Sequence, residues 1–342
     1  MVATALLLGH MDEKSLQKFY RGKRILITGG LGFIGSTLAK SLINFGAEVT
    51  VIDSLIPEYG GNMFNVNGIK DKIKINISDV RDAYSINYMV KGQDILFNLA
   101  GTLSHVDSMA DPFVDLEINV KSQVYILEAC RKNNPAISIV YAGTRNQYGR
   151  AQYLPVDERH PIEPTDVNGI NCNAGEYYHI LYNKIYGIKA CSLRLSNTYG
   201  PRHQMHHSRQ GVLNWFLRQL INGEQIKLFG TGDQIRDVTY IDDVVEAFLL
   251  MGASNKVWGE IFNLGGFPVS LKQFVDTAIR VHGKGSYKIV DFPEERQKIE
   301  VGDYIANYFK IYRLLGWEPR ITLERGIEKT LQYYKKYKKY YW

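Results

Sequence analysis

The chain has 342 residues, with 41 Lys and Arg against 35 Asp and Glu, so its formal net charge is +6. Hydrophobic residues make up 45% and charged residues 22%, which is typical of a folded protein and excludes wholesale disorder. No apolar run in the sequence approaches the roughly 18 residues that a membrane-spanning helix needs. The three cysteines are too few for a disulfide scaffold, and we expect a reducing, cytoplasmic location.

The two ends of the chain differ from the rest in composition. We interpret residues 1–22 as an N-terminal extension with a short helix near 12–20, because the apolar start lacks the basic residues of a signal peptide. The C-terminal segment 333–341 mixes tyrosines with lysines, as some nucleic-acid and membrane contacts do. No recognition motif accompanies it, so we expect a solvated helix end and neither nucleic acid nor membrane as a partner.

Short β-branched runs alternate with longer amphipathic stretches over residues 23–200. This alternation predicts βαβ units, and therefore an α/β fold with a Rossmann-type, doubly wound parallel sheet. Residues 201–342 show shorter mixed segments and predict a smaller mixed α/β substrate domain, although one strand, 261–264, returns to the first sheet. The other predicted strands are 24–28, 48–53, 73–76, 95–100, 137–142 and 190–196. The predicted helices are 34–45, 111–131, 174–186, 211–222, 270–282 and 324–340.

A glycine-rich turn follows the first predicted strand. Gly29, Gly32 and Gly35 have the spacing that allows a tight turn, a close approach to a pyrophosphate and close packing of helix on strand. The helix N-terminus that follows offers free N–H groups to the phosphates. Asp53 ends the second strand, where its carboxylate can accept hydrogen bonds from the adenosine ribose and would repel a 2′-phosphate. The sequence therefore predicts a dinucleotide site that favours NAD over NADP.

The glycine-rich turn is the first of six motifs along the chain. They are TGGLGFIG at 28–35, DVRD at 79–82, NLAG at 98–101, LRLSNTYGPR at 193–202, GTGDQIRDVTYIDD at 230–243 and LGWEP at 315–319. In this order they resemble the extended short-chain dehydrogenase/reductase family, and more narrowly its NAD-dependent sugar-nucleotide epimerases and dehydratases. The resemblance covers residues 23–335 and is far more specific for the family than for the reaction.

The resemblance implies contacts to NAD, to a nucleotide-sugar substrate and to a second copy of the chain. The implied NAD contacts are Gly29, Gly32, Phe33, Ile34, Gly35, Asp53, Asp79, Val80, Leu99, Ala100, Gly101, Asn119 and Asn197. The implied substrate contacts are Thr102, Arg145, Asn146, Gln147, Arg209, Arg236 and Arg296. Arg236 and Arg296 would bind the diphosphate, with an ordinary ion pair as the alternative for either. A homodimer would form through helices near 111–131 and 168–186.

The resemblance also locates a catalytic threonine. Family members carry a Ser or Thr four residues before a Tyr-Gly pair, and Thr144 has this position before Tyr148 and Gly149. Its hydroxyl could hydrogen-bond the reacting hydroxyl of the sugar or the ketone that this becomes. The family's dehydratases usually continue with an Asp-Glu pair, whereas this chain continues with Arg145 and Asn146. Ordinary 4,6-dehydration is therefore disfavoured.

The Tyr-x-x-x-Lys dyad of the family is absent from this chain. Counting back from Glu176 puts Asn168 at the tyrosine position and Cys172 at the lysine position. An amide takes no proton at neutral pH, and Cys172 is an acid or nucleophile only if its thiol pKa is lowered; otherwise it fills space. His105 is either the neutral-pH base or a packed loop histidine. The candidate catalytic residues are therefore Thr144, Asn168, Cys172 and His105.

Three histidines, His203, His206 and His207, lie in the loop after the predicted nicotinamide strand. No carboxylate or cysteine completes a ligand set beside them in the sequence, so we predict no metal site. We expect this loop to contact the nucleotide or the sugar instead.

Together these patterns predict an NAD-dependent enzyme that acts on a nucleotide-activated sugar through a keto-sugar intermediate. Epimerisation is the first hypothesis, and a sugar-nucleotide dehydrogenase or an unusual dehydratase is the second. The missing dyad leaves open a different class, a partner protein that binds NAD and a sugar nucleotide without catalysis. It also leaves open that Asn168 or Cys172 is a substitution in an otherwise ordinary member.

Overall fold

A seven-stranded parallel sheet lies at the centre of the protein, whose computed structural model describes residues 11–292, 294 and 300–342. The strands are β1 (Arg24–Thr28), β2 (Glu48–Asp53), β3 (Lys74–Ile77), β4 (Ile95–Asn98), β5 (Ser138–Thr144), β6 (Lys189–Leu195), β7 (Asn197–Tyr199), β8 (Ile226–Phe229), β9 (Ile235–Tyr240), β10 (Ile261–Asn263), β11 (Phe267–Ser270) and β12 (Tyr287–Val290). The order across the large sheet is β10-β6-β5-β4-β1-β2-β3. The order reverses between β1 and β4, which opens a ligand crevice at their carboxyl ends.

The helices cover both faces of this sheet and explain its apolar strands. They are α1 (Glu13–Tyr20), α2 (Phe33–Asn44), α3 (Ala83–Met89), α4 (His105–Ala110), α5 (Pro112–Leu116), α6 (Ser122–Asn133), α7 (Val167–Tyr186), α8 (Val212–Asn222), α9 (Ile241–Gly252), α10 (Leu271–His282), α11 (Phe309–Leu315) and α12 (Leu323–Tyr337). Ile25 and Ile27 of β1 pack in the cluster that contains α2 and α9, whereas Leu26 packs in the cluster of α3 and α6. A strand buried on both faces reads as a continuous apolar run.

The C-terminal half adds two small sheets, β11-β9-β7 and β12-β8, with α8, α10 and α12 packed beside them. Part of the C-terminal half packs directly against the large sheet. Helix α9 packs on α2, and Phe248 contacts the ring of Phe97 on β4. Helix α1 also packs here, since the Tyr20 hydroxyl donates to the Leu249 carbonyl at 2.7 Å. Residues on both sides of position 200 therefore pack around the large sheet.

The predicted helix 111–131 forms one continuous helical segment, 112–133, with a π-helical turn inside it. Pro112 begins α5, and the Asp111 carboxylate caps that helix by accepting from the N–H groups of Phe113 and Val114 at 3.2 Å. A proline has no N–H for a preceding turn, so α4 ends before it. A π-helical turn, Glu117–Lys121, then joins α5 to α6. The prediction of one helix over 111–131 is therefore confirmed, and the apolar spacing misses only the π-helical turn inside it.

The tyrosine-rich tail packs against the body of the protein. Tyr334 and Tyr341 are buried, and the Tyr341 hydroxyl donates to Asn65 Oδ1 at 2.6 Å. The ring of Phe64 stacks on Tyr340 at a centroid distance of 3.7 Å. The expectation of a solvated helix end is wrong for these tyrosines. Among the described helices, none is long and apolar enough to cross a membrane.

Helix α7 is fixed to the sheet by His179, and this contact makes stability depend on pH. The ring is fully buried, its Nδ1 donates to the Gly175 carbonyl at 2.8 Å, and its Nε2 faces the Asn98 amide at 3.1 Å. Burial lowers the pKa of His179 to about 4. The unfolded state, with the usual histidine pKa near 6.5, therefore binds more protons between about pH 6.5 and 4.

We expect the free energy of unfolding to fall as the pH drops through this window, by up to about 1.4 kcal/mol per pH unit from His179. Urea unfolding at pH 6.5 and pH 5 measures this loss. His179→Gln removes the titrating group, so the variant should lose on the order of 1–2 kcal/mol less than the natural chain over this interval. Identical pH dependence in both proteins would contradict the assignment.

Candidate active site

The glycine-rich turn after β1 forms a cradle that only glycine can build. Gly29 has φ of 67°, and a Cβ there would lie 3.1 Å from the Leu99 carbonyl oxygen. A Cβ on Gly35 would lie 2.3 Å from the Gly29 carbonyl oxygen and 2.8 Å from Gly30 Cα, so α2 starts in direct contact with the turn. Gly32 precedes α2 and has no side chain to cap it. The first-turn N–H groups of α2 are therefore left for an anion such as a pyrophosphate.

Asp53 lies at the end of β2 beside this cradle. Its two carboxylate oxygens accept hydrogen bonds from the backbone N–H groups of Leu31 and Leu55, both at 2.9 Å. Burial raises the pKa of Asp53, while these backbone donors act to lower it. Asp79 follows β3, and Arg81 binds its carboxylate through two guanidinium nitrogens, which lowers the pKa of Asp79. Both carboxylates thus have fixed positions near the cleft.

A cleft runs along the carboxyl edge of β1, β2, β3 and β4. Eleven of the thirteen predicted NAD contacts line it, which are Gly29, Gly32, Phe33, Ile34, Gly35, Asp53, Asp79, Val80, Leu99, Ala100 and Gly101. The two others have different surroundings. The amide of Asn119 is buried and bonds the backbone and hydroxyl of Thr102, while Asn197 Oδ1 accepts from Arg145 Nε at 3.1 Å. Asn119 therefore positions the loop after β4, and its direct contact with NAD stays a prediction.

A buried polar network occupies the positions where the sequence predicts that the family's dyad is replaced. Asn168 is fully buried, and its Nδ2 donates to the Thr102 carbonyl at 2.7 Å and to Asp115 Oδ2 at 2.9 Å. Asp115 also accepts from the Thr102 hydroxyl at 2.7 Å and from Asn171 Nδ2 at 2.8 Å. The Asn168 amide and the Thr102 hydroxyl already form hydrogen bonds to Asp115 inside the protein. These bonds do not support the prediction of Asn168 as a catalytic group and of Thr102 as a substrate contact.

Cys172 lies one turn further along α7. The thiol is buried and its Sγ is 3.8 Å from Asn168 Oδ1. Burial raises the pKa of the Cys172 thiol well above its usual value, and the charges of Asp115, Asp166 and Glu176 raise it further. The thiol therefore stays protonated at neutral pH, which disfavours a nucleophile and agrees with the space-filling alternative.

His105 and Asp166 form a pair close to this network. Asp166 caps α7 by accepting from Gly169 N at 2.8 Å, and its other oxygen bonds His105 Nδ1. The aspartate side chain is buried, whereas the histidine is 28% exposed. Although burial acts to raise it, the hydrogen bond and charge of His105 hold the pKa of Asp166 below its usual value. A carboxylate on Nδ1 keeps the proton there and leaves the Nε2 lone pair available as a base.

The end of β5 holds Thr144 at the start of a short 3₁₀ turn, Arg145–Tyr148. The Thr144 hydroxyl accepts from Asn146 N at 3.3 Å, and the Gln147 side chain accepts from Thr144 N at 2.9 Å. Gln147 is fully buried and fixes this turn, and its substrate contact stays a prediction. Asn146 is also mostly buried.

The predicted arginines have three different environments. Arg145 is buried beside the Tyr304 ring, with Cζ 5.2 Å from the ring centroid. Arg236 is buried in an ion pair with Glu300. Arg209 is exposed and pairs with Asp107 of α4 at 2.8 Å, which connects the histidine loop to the helix that carries His105. Arg296 lies outside the described residues.

The histidine loop is built into the fold. Burial lowers the pKa of His203 to about 4, and its ring packs edge-on against Phe33 at a centroid distance of 4.9 Å. His207 Nε2 lies 3.1 Å from the Glu58 carbonyl oxygen. Within the described part of the chain, no three His, Cys, Asp or Glu side chains are grouped as a metal would require.

Sequence reasoning missed Thr28, Asp115 and Asp166. Thr28 Oγ1 accepts from the N–H groups of Leu99 and Ala100 at 3.0 and 3.1 Å, which fixes the loop after β4 against the glycine-rich turn. Asp166 has the sequence signal of a helix cap, an aspartate before a helix start. The sequence contains no comparable signal for Asp115, whose partners come together only through the packing of α5 on α7.

Gly35→Ala should weaken NAD binding by about 10- to 100-fold, because overpacking costs about 1–3 kcal/mol and here moves α2 away from the turn. Calorimetric titration of NAD measures the change. Ser41→Ala, on the same helix but half-buried and away from the turn, is the matched control. Unchanged NAD affinity in Gly35→Ala would contradict the role of the cradle.

Comparison with known proteins shows the family to which this chain belongs. Residues 25–265 match the model of the NAD dependent epimerase/dehydratase family. The UDP-glucose 4-epimerase of Mycolicibacterium smegmatis is 31% identical, over 91% of this chain and 98% of its own. The crystal structure of UDP-glucose 4-epimerase from Thermotoga maritima with UDP-glucose has TM-score 0.83 and 30% identity, covering 92% of this chain and 99% of that one. The structure of the Thermus thermophilus UDP-glucose 4-epimerase complex with NAD has TM-score 0.81 and 27% identity. It covers 91% of this chain and 99% of that one. This chain is therefore an enzyme of the NAD-dependent epimerase/dehydratase family, with NAD as its cofactor.

Proposed function

We propose that this enzyme epimerises a nucleotide-activated sugar through a keto-sugar intermediate. The observation that carries the proposal is the His105–Asp166 pair, which offers a base beside the position that the usual dyad has lost. When bound, NAD supplies a reversible hydride acceptor. The protein must then accept and return one proton, hold the ring and exclude elimination.

His105 Nε2 takes the proton of the reacting sugar hydroxyl and later returns it. Asp166 holds the ring through Nδ1 and stabilises the imidazolium that forms. The first turn of α7 connects this pair to the threonine, because Gly169 bonds Asp166 and a Cβ on Gly169 would lie 2.8 Å from the Asn146 carbonyl oxygen. Thr144, two residues before, then orients the same hydroxyl.

Epimerisation also fits the groups that follow Thr144. Loss of water needs an acid that protonates the leaving hydroxyl, and a carboxyl pair would supply it. Arg145 and Asn146 take those two positions here, and the amide of the next residue, Gln147, is already bonded to Thr144. Inversion needs only proton transfer and return of the hydride to the other face. The described groups next to Thr144 therefore favour inversion over elimination.

Incubation with NAD and a panel of nucleotide sugars in heavy water tests the reaction, with products followed by NMR and mass spectrometry. We expect a product that is an epimer of the substrate. Absence of deuterium would assign inversion to the oxidised carbon, and deuterium would assign it to a carbon next to the ketone. Loss of water or carbon dioxide would contradict epimerisation. Binding without product or transient NADH across the panel would support the non-catalytic alternative.

In the same assay, His105→Asn should lower turnover by about 10²- to 10⁴-fold, the usual contribution of a general base. Affinity for NAD should remain, because His105 is outside the cradle. His282→Asn, which replaces a half-buried histidine at the end of α10, should leave turnover unchanged. Normal turnover in His105→Asn would remove the histidine from the mechanism.

The enzyme is further proposed to act as a homodimer through α7 and the helices before it. Ile170, Tyr177, Leu181 and Ile185 of α7 are each about half exposed, and Phe113 of α5 is 76% exposed. The four residues of α7 are spaced so that they lie on one face of the helix. Together with Phe113 they form a contiguous apolar patch, whereas single exposed apolar side chains need no explanation. A second copy with the same helices would cover it isologously.

Analytical ultracentrifugation should give twice the chain mass of 39.0 kDa. Leu181→Glu places a charge in the proposed interface and should produce a monomer, because burying an unpaired carboxylate opposes association. Tyr84→Glu, at a residue of α3 that is 90% exposed, is the matched control and should stay dimeric. A monomeric natural chain would refute the dimer.

A further inference from the structure

Three arginines are buried among the described residues, and one of them differs from the others. Arg194 is paired with Glu176, and Arg236 is paired with Glu300. Arg145 forms no ion pair with any described residue. A buried charge is normally paired, because leaving it uncompensated is far more costly than exposing it. The exception therefore indicates a charge that something outside the described chain compensates.

The guanidinium of Arg145 is held in place with most of its donors unused. Nε donates to Asn197 Oδ1 at 3.1 Å, which is its one hydrogen bond to the described residues. Nη1 is buried without a partner, and the Tyr304 ring lies against the guanidinium. Burial lowers the pKa of Arg145 to about 10, with the charge of Arg236 acting in the same direction. The group is still a cation at neutral pH.

Nearby carboxylates do not neutralise this cation. Glu300 is engaged by Arg236. Asp237 accepts from the Ala306 N–H at 2.7 Å, while its second oxygen has no hydrogen-bond partner. Burial raises the pKa of Asp237 to about 7, so near neutral pH it carries only part of a charge. Among the residues that the structure describes, the groups around Arg145 therefore carry excess positive charge.

We propose that Arg145 binds a carboxylate on the sugar itself, so that the enzyme acts on nucleotide-activated uronic acids. The inference rests on the proposed function, in which Thr144 orients the reacting ring hydroxyl. Arg145 follows Thr144 directly, and its Nε is bonded to Asn197, an implied NAD contact, so the guanidinium lies between the two residues expected beside the reacting ring. A planar guanidinium matches a planar carboxylate through two parallel hydrogen bonds. The substrate's diphosphate is the other anion that could supply this charge, and the experiment separates the two.

The test compares UDP-glucose, UDP-glucuronate and UDP by calorimetry with the NAD-loaded enzyme. The two sugar nucleotides differ only in the carboxylate at the exocyclic carbon. We expect UDP-glucuronate to bind at least about tenfold more tightly than UDP-glucose, as for a charge-assisted hydrogen bond in a buried site. Equal affinity, or tighter binding of UDP-glucose, would overturn the inference and leave the proposed function intact. Failure of all three ligands to bind would count against the proposed function itself.

Arg145→Met supplies the second arm, with Arg159→Met, an exposed arginine elsewhere, as matched control. Arg145→Met should abolish the preference for UDP-glucuronate and leave affinities for UDP and UDP-glucose within about twofold, since only the carboxylate contact is lost. An equal loss for all three ligands would assign Arg145 to the diphosphate and overturn the inference. Circular dichroism and NAD binding check that the variant folds. If it does not, Arg145→Lys, which keeps the charge without the planar fork, should retain only part of the preference.

Discussion

The hydroxyl of Thr28 joins the two strands at which the order of the central sheet reverses. It donates to Asn98 Oδ1 at 2.8 Å and accepts from two successive N–H groups, those of Leu99 and Ala100. The loop after β4 therefore leaves the sheet at a fixed point beside Gly29, whose missing side chain gives the Leu99 carbonyl its space. Every other part of the cleft is placed relative to these two loops, because ligands of such sheets bind where the strand order reverses.

Residues at the start of α7 form two separate sets of contacts, a buried network around Asp115 and the bond between Asp166 and His105. Asp115 accepts hydrogen bonds from Thr102, Asn168 and Asn171, and this network holds the helix against the loop after β4. A fully bonded network of this kind is rigid, but it leaves no group for proton transfer. Under the proposed function, the chemical task belongs to His105, which is partly exposed and held by a buried carboxylate. The Asp115 network can therefore hold the start of α7 in place while His105, and not a residue of α7, serves as the base.

Much of the fold could be predicted from the sequence. Strands β1 and β2 have the predicted bounds, because strands covered on both faces are continuous apolar runs bounded by turns. Eleven predicted NAD contacts line one cleft for a local reason, since glycine spacing and strand ends are properties of neighbouring residues. The helix predicted over 111–131 also forms, and only its π-helical turn at Glu117–Lys121 has no signal in the apolar spacing.

The sequence by itself determined the class of fold and the glycine-rich cradle, and it predicts that the Tyr-x-x-x-Lys dyad is replaced, since each depends on residue types at short spacing. Only the tertiary structure decided what the individual polar side chains do. Asn168 and Cys172 proved to be buried, and Asp166 proved to hold His105, which lies 61 positions earlier in the chain. The buried charge of Arg145, which has no ion-pair partner among the described residues, was equally hidden. Burial and pairing depend on contacts between distant segments, and no local pattern encodes them.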